Sequence, residues 1–370
     1  MRTTRHKTRC IHVGDIAIGG KSLVSVQTMT KTDTRDVAAT VRQILEVEGL
    51  GCDIVRLAVP DSAAAGALAK IRARVHIPLI ADIHFDHRLA LMALDAGMDG
   101  LRINPGNIGG PAKVRELVRA AAGRKVPIRI GVNSGSIEKD LLAKHKGPTP
   151  EALVESAMRH VRLLEDCGWR EIKISVKASD VLRTVSAYRL LSQKTSYPLH
   201  LGVTEAGTFL YGTVSSSAAM GILLAEGIGD TIRVSLTDTP HNEVRVGLAL
   251  LRSLGLRAAG PNVISCPTCG RTRINITRLA GEVEAGLEGF IRSHPASPCP
   301  IVAVMGCVVN GPGEAAHADI AVCGGNGRGA IYVRGRHIKT VPERNIVSSI
   351  LAEVSRFRSH EKKKRRTGLT

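Results

Sequence analysis

Cys266 and Cys269, two residues apart within ISCPTCGR (264–271), can turn both sulfurs toward one metal centre, and Cys307 in VAVMGCVVNGPGEA (302–315) offers a third thiol from a distant bend. Alone, a CxxC pair suits a zinc half-site or a redox dithiol. A structural zinc ion would want a fourth ligand, for which Cys299, Cys323 and His317 are available. An iron–sulfur cluster offers a different solution. Past Cys307, beyond the NGPG bend, stands Glu314. A carboxylate binds iron less tightly than thiolate and could yield to substrate, leaving a Lewis-acidic iron. The same glutamate also suits an ordinary helix N-terminus. Cys10, Cys52, Cys167, Cys299 and Cys323 have no comparable spacing and read as buried or surface thiols.

A second set of residues points to an anion. Arg56, Arg102, Arg129 and Arg233 each sit within or at the edge of a short apolar, strand-like run. Inside a protein an unpaired guanidinium is strongly destabilising, so each needs an anionic partner or water. Internal carboxylates such as Asp53 or Asp82 are one answer. The other follows if the runs are strands of one barrel, whose ends converge on one mouth. His84, Asn104, Asn133, Lys177 and Ser235 fall at or just beyond the same ends. The glycine-bearing loop INPGNIGG (103–110) precedes a predicted helix, where free backbone N–H groups could meet a phosphate. With the bidentate capacity of arginine for phosphate oxygens, the set predicts a small, multiply charged substrate such as a diphosphate. Glu205 in GVTEAG is the best-placed carboxylate for acid/base work, although it also fits a helix start.

These residues need a frame, and the hydrophobic pattern supplies one. Runs rich in β-branched residues occur at 24–29, 54–59, 77–83, 101–104, 127–132, 172–176, 198–203 and 231–236, each followed by a helix-like segment. Val37, Val41, Ile44 and Leu45 mark one helical face, and Asp61 and Ser179 are candidate caps. Eight strand–helix units predict a (β/α)8 TIM-type barrel over residues 1–258. The long interval around KDLLAKHKGPTP predicts an extra loop between the fifth and sixth strands. After Gly260 the rhythm breaks, and residues 259–359 read as a smaller α/β domain carrying five of the eight cysteines. The basic run at 360–370 is expected to be a disordered tail.

Composition bounds the reading further. The 370 residues carry a net charge of +18, which attracts polyanions, yet aromatic residues make up only 2% and leave few platforms for stacking bases. No apolar run reaches the roughly 20 residues of a membrane span, and the first residues lack a secretory apolar segment. The expected location is the cytoplasm, where sparse cysteines favour thiol chemistry or metal ligation over disulfides. A zinc-dependent barrel hydrolase and a metal-bearing nucleic-acid-binding protein remain alternatives to a cluster-bearing enzyme acting on a diphosphate.

The stretches ADIHFD (81–86), LRINPGNIG (101–109), PIRIGVN (127–133), SVKASDV (175–181), LGVTEAG (201–207), GDTIRVSLT (229–237), CPTCGR and MGCVVNGPGEA together resemble the bacterial 4-hydroxy-3-methylbut-2-enyl diphosphate synthase family. The resemblance covers nearly the whole chain except the basic tail. It implies reductive opening and dehydration of 2-C-methyl-D-erythritol 2,4-cyclodiphosphate, the penultimate step of the methylerythritol phosphate route to isoprenoids. It implies one 4Fe–4S cluster per chain, held by Cys266, Cys269, Cys307 and Glu314. It further implies diphosphate binding by Arg56, Arg102, Arg129, Lys177 and Ser235, with Asn133 alongside, and an acid role for Glu205. Flavodoxin or ferredoxin would donate electrons, and a homodimer would share each active site between subunits. Thr28 and Ser215 depart from the family's usual serine and lysine and leave the motifs above intact.

Overall fold

The computed structural model describes residues 4–104, 106, 108–257, 260–294, 299–307, 313 and 316–367, the side chains of Arg292 and of residues 358–367 excepted. The chain divides into two compact units, Met1–Arg257 and Ala258–Thr370.

The first unit opens with a hairpin, β1 (Ile11–Val13) and β2 (Ile16–Ile18), paired antiparallel across the two-residue turn Gly14–Asp15. Eight parallel strands follow: β3 (Ser25–Met29), β4 (Ile54–Ala58), β5 (Leu79–Asp82), β6 (Gly100–Ile103), β7 (Ile128–Asn133), β8 (Ile172–Lys177), β9 (His200–Leu201) and β10 (Thr231–Ile232). They hydrogen-bond in the order β8-β7-β6-β5-β4-β3-β10-β9, and an Ile174–Leu199 bridge closes the ring between β8 and β9. The expected TIM-type barrel is therefore present, with every strand overlapping one of the eight apolar runs; β6 begins one residue before its run, and β7 and β8 end one residue after theirs. β9 and β10 are shorter than their runs. At Gly202 the chain passes so close to the next strand that a Cβ would meet the Arg233 carbonyl oxygen at 2.6 Å.

Helices α1 (Val37–Gly49), α2 (Ser62–Arg72), α3 (His87–Asp95), α4 (Pro111–Arg124), α5 (Lys139–Lys144), α6 (Pro150–Glu165), α7 (Val181–Lys194), α8 (Phe209–Ala225) and α9 (Pro240–Ser253) fill the intervals. Asp36, Asp61, Asp86, Thr149 and Asp180 cap helices by accepting backbone N–H bonds in the first turn. The expected cap Ser179 is thus replaced by its neighbour Asp180. The interval expected to be a loop holds the short helix α5, whose Leu141 is buried. On α1 the core face comprises Thr40, Val41, Ile44 and Val47, whereas Leu45 points outward at 45% exposure.

The hairpin plugs the barrel at its N-terminal end. Ile11, Val13 and Ile18 form one buried cluster with Ile54 and Ile80 at the starts of two barrel strands. Gly100 makes room, since a Cβ there would meet Ile80 at 3.0 Å and Val13 at 3.5 Å. Hydrocarbon from the hairpin thereby closes the bottom of the barrel beneath β4 and β5.

The second unit is a five-stranded sheet, β11 (Asn262–Ser265), β12 (Ile301–Met305), β13 (Ile320–Gly325), β14 (Arg328–Val333) and β15 (Arg336–Pro342), in sequence order. The first three strands are parallel, and β14 and β15 return antiparallel. Helices α10 (Ile276–Ser293) and α11 (Ile346–Thr367) bury Leu279, Val283, Leu287, Ile346, Ile350 and Val354 with Val302, Val304, Ile320 and Val322 of the sheet. Because α11 continues to Thr367, the segment expected to be a disordered tail is helical up to that residue; lysine, arginine and glutamate are strong helix formers. Among the described residues, no helix is long and apolar enough to cross a membrane.

The plug carries a stability prediction. Ile18 is fully buried in it, so Ile18→Ala should destabilise the protein by about 2–5 kcal/mol in equilibrium denaturation. A loss below about 1 kcal/mol would mean that the hairpin is not part of the cooperative core.

Candidate functional site

Side chains alternate across a strand, so residues two apart along a barrel strand point the same way. On β7 that set includes Arg129, Gly131 and Asn133; on β8 it is Lys173, Ser175 and Lys177. Arg56, Arg102, Arg129, Asn133, Lys177, Arg233 and Ser235, all seven candidates for substrate binding, line one cavity of about 170 Å³ at the C-terminal ends of the strands. Asp82, His84, Ser175 and Thr204 complete its wall. Glycines make the space. A Cβ on Gly131 would lie 2.6 Å from Arg102 Nε, and one on Gly202 would lie 2.6 Å from Lys177 Nζ. These two inward positions are empty so that two long basic side chains can lie across them.

Asp82 is the one carboxylate among the described lining residues. Its Oδ1 accepts from Arg102 Nη1 at 3.0 Å, and its Oδ2 lies 3.5 Å from Arg56 Nε. Burial alone would raise its pKa, but Arg56, then a hydrogen bond from His84, then Arg102 and Arg129 hold it well below the usual carboxylate range. The internal pairing expected for the arginines is therefore real for Arg56 and Arg102, through Asp82. Asp53 instead pairs with Arg257 and accepts the Val26 backbone N–H.

One carboxylate does not balance this wall. Arg129 is 3% exposed, and its Nε and Nη1 have no hydrogen-bond partner among the described residues. Burial first, and then the charges of Arg56 and Arg102, push its pKa well down. Lys177 is lowered in the same way, by burial and then by Arg129 and Arg233, while Arg56 is brought down to about 10. A layer lower, Gln27, Lys173 and His200 are buried with polar atoms lacking partners among the described residues. Burial and the nearby Arg129 lower Lys173 to about 7. The sequence reading singled out the arginines of the runs and the polar residues at their ends and passed over Lys173 and His200, which stand inside the apolar runs IKISV and PLHLGV.

The remaining candidates lie elsewhere. Glu205 is exposed on the loop after β9, beside the lining residue Thr204, and is not itself part of the cavity wall. Its φ of 53° is in the left-handed region, a strained backbone for a non-glycine residue. In the glycine loop, Asn104 Oδ1 accepts the Gly106 N–H at 3.1 Å, so this side chain shapes the turn. None of the described loop residues 106 and 108–110 lines the cavity.

In the second unit, β11 and β12 run parallel with Ser265 beside Val304, which brings Cys266 and Cys307 past the same ends of adjacent strands. The Gly306 N–H donates to Cys266 Sγ at 3.3 Å, the kind of bond that tunes a cluster sulfur. A backbone hydrogen bond from Arg271, assisted by that residue's guanidinium, lowers the Cys269 thiol. Cys269 is exposed, and Cys266 and Cys307 are partly so. A thiol held below its ordinary pKa at Cys269, with accessible sulfurs at Cys266 and Cys307, suits an iron–sulfur cluster. Cys323 contrasts with them, packed among Ala303, Met305 and Ala321, where burial pushes it up to about 11. Among the described residues, no group of three or more His, Cys, Asp or Glu could hold a single metal ion. Glu314 lies outside the described residues.

Comparison with known proteins adds to this geometry. Residues 8–248 match the GcpE TIM-barrel domain, and residues 262–356 match the GcpE protein C-terminal domain. The chain is 56% identical over 351 residues to the 4-hydroxy-3-methylbut-2-en-1-yl diphosphate synthase (flavodoxin) of Geobacter sulfurreducens, covering 95% of this chain and 98% of that one. It is 53% identical over 367 residues to the protein of the same name from Nitratidesulfovibrio vulgaris, with 99% and 94% covered. The Thermodesulfovibrio yellowstonii protein of that name is 53% identical over 350 residues, with 95% and 99% covered.

The lowered Lys173 gives a pH prediction. Between about pH 7 and 10.5 the unfolded chain holds a proton on this lysine that the folded barrel does not, so its contribution makes stability rise with pH across that window. Denaturation at pH 7.5, 8.5 and 9.5 should show that stability rises less steeply with pH in Lys173→Met than in wild type. Equal slopes would mean that Lys173 is protonated in the folded protein.

Proposed function

The chain belongs to the GcpE family, and from that membership we propose that its barrel cavity binds the cyclic diphosphate substrate while its C-terminal unit holds the electron-delivering centre. The protein is an oxidoreductase of isoprenoid biosynthesis, a 4-hydroxy-3-methylbut-2-enyl diphosphate synthase in activity. It converts 2-C-methyl-D-erythritol 2,4-cyclodiphosphate to 4-hydroxy-3-methylbut-2-enyl diphosphate. Two electrons and two protons enter; the ring carbon–oxygen bond breaks, a neighbouring hydroxyl leaves as water, and a carbon–carbon double bond forms.

The observation that carries the barrel assignment is the excess of buried cations over carboxylate around the cavity. A diphosphate supplies the missing negative charge. Arg56, Arg102 and Arg129 present planar forks suited to its oxygens, Lys177 adds a point charge, and Asn133 and Ser235 add neutral hydrogen bonds. Arg233 closes the side of the cavity next to β3. Substrate bound in this way is oriented with its charged end inward and its carbon skeleton toward the mouth. Glu205, on the exposed loop beside that mouth, is the candidate to protonate the departing hydroxyl, which leaves far more readily as water.

Cys266, Cys269, Cys307 and Glu314 are the proposed ligands of one 4Fe–4S cluster per chain. When bound, such a cluster supplies electrons one at a time and an iron with Lewis acidity. The name the relatives carry supports flavodoxin as donor, with ferredoxin the other small carrier of the same type. The proposed assembly is a homodimer in which each barrel works with its partner's cluster unit. The cytoplasm is the proposed compartment.

Metal analysis tests the ligand set. Protein purified without oxygen should contain about four iron atoms and four acid-labile sulfides per chain. Cys266→Ser, Cys269→Ser and Cys307→Ser should each lose most of the iron, and Cys323→Ser should keep it; iron loss on Cys323→Ser alone would refute the assignment. For the assembly, Glu205→Gln and Cys269→Ser chains co-expressed as mixed dimers should recover about a quarter of wild-type activity, because random pairing makes half the dimers mixed and one of their two sites intact. Confirmed mixed dimers with no recovered activity would show that each chain uses its own cluster.

A further inference from the structure

Glu243 has no place among the cavity-lining residues, yet its carboxylate is almost completely buried in the first turn of α9, at 1% exposure. A carboxylate taken out of water needs strong donors. Its Oε2 accepts from Thr28 Oγ1 at 2.7 Å, and its Oε1 accepts from Lys31 Nζ and from the Leu236 backbone N–H, both at 3.0 Å. The same Oε1 stands 3.7 Å from Arg233 Nη2. These donors come from β3, from the loop after it and from the segment after β10, so one carboxylate spans the seam between two neighbouring parallel strands. Arg233 and Ser235, both on that segment, line the cavity. Arg233 Nε is buried with no partner among the described residues.

We propose that Glu243 is a positioning residue for diphosphate binding: it holds the Arg233 guanidinium toward the cavity and fixes the segment that presents Arg233 and Ser235. The proposal rests on the reading that this cavity takes the cyclic diphosphate. Charge and geometry make opposite demands here. A carboxylate beside an anion site opposes the anion, so its removal would tighten binding if charge were all that mattered. If it aims Arg233, its removal releases the arginine toward water and weakens binding. The sign of the effect therefore separates the two.

Glu243→Gln removes the charge and keeps one oxygen to accept the Leu236 backbone N–H, while its amide NH2 takes the place of the oxygen that faces the Thr28 hydroxyl, which can itself accept. Calorimetric titration of the cyclic diphosphate into oxidised, cluster-loaded enzyme without an electron donor reads binding apart from turnover. Glu243→Gln should weaken binding about tenfold with its melting temperature kept within a few degrees, and Glu243→Asp should fall between Gln and wild type. In an Arg233→Met background, Glu243→Gln should cost less than about twofold more, because the group it positions is gone. Equal or tighter binding in Glu243→Gln, or independent losses in the double variant, would overturn the proposal. Should Glu243→Gln fail to fold, the same cycle with Glu243→Asp decides by the same criteria. Arg129→Met is the control. Undiminished binding in that variant overturns the barrel-site reading and this proposal together, whereas loss there with none in Glu243→Gln overturns the role of Glu243 alone.

Discussion

Among the described residues, five basic side chains line one cavity with a single carboxylate, and the architecture of the barrel unit answers to that imbalance. Like charges at close quarters in a medium of low polarity repel strongly, and each also loses its hydration. Asp82 relieves Arg56 and Arg102, leaving Arg129 and Lys177 to bear burial as a lowered proton affinity. A site of this kind is unfavourable when empty and favourable when a multiply charged anion enters. The fold stabilises what the site costs elsewhere. Hydrocarbon plugs the bottom, helices cover the outside, and Gly131 and Gly202 leave space for the basic stems. The ligand then adds stability to the native state, because the unfolded chain cannot bind it.

Much of this frame was legible in the sequence, for reasons of period and composition. Each barrel strand is buried on both faces, so it reads as an apolar run in which an arginine stands out at once; Arg56, Arg102, Arg129 and Arg233 were found in this way, and their common cavity follows from strand parallelism. Other features were not legible. The hairpin at Ile11–Ile18 carries a two-residue Gly–Asp turn, a recognised hairpin signal, but strands of three residues are too short for periodicity to declare. Asp180 displaced Ser179 as a cap because a shift of one residue is invisible without backbone angles. Glu243 reads as an ordinary acidic residue in a helix's first turn, and only the fold shows that β3 and β10 converge on it. Gly131 and Gly202 look like breaks in strands, whereas they are room for Arg102 and Lys177.

The cysteines divide along a similar line. Spacing marked out Cys266 and Cys269, a bend after a strand marked out Cys307, and the lack of such spacing set Cys323 apart as an ordinary thiol. Packing gives the physical reason. Cys323 faces alanines and a methionine on β13 and is kept a thiol, while Cys266 receives a backbone N–H and Cys269 sits beside Arg271. The same unit thus carries one thiol built for packing and, at Cys269, one whose surroundings favour thiolate.

The central claim is that the barrel holds cations whose protons wait on an incoming anion. Burial and then the charges of Arg129 and Arg233 drive Lys177 well below its ordinary pKa, so an arriving diphosphate should favour its charged form and draw protons from solvent. The direct test is calorimetric titration of the cyclic diphosphate into oxidised enzyme at pH 8.5, in buffers of differing ionisation enthalpy. The account predicts net proton uptake on binding, reduced in Lys177→Met. An enthalpy independent of buffer, or proton release, would contradict it, showing that the cavity cations are fully charged before substrate arrives.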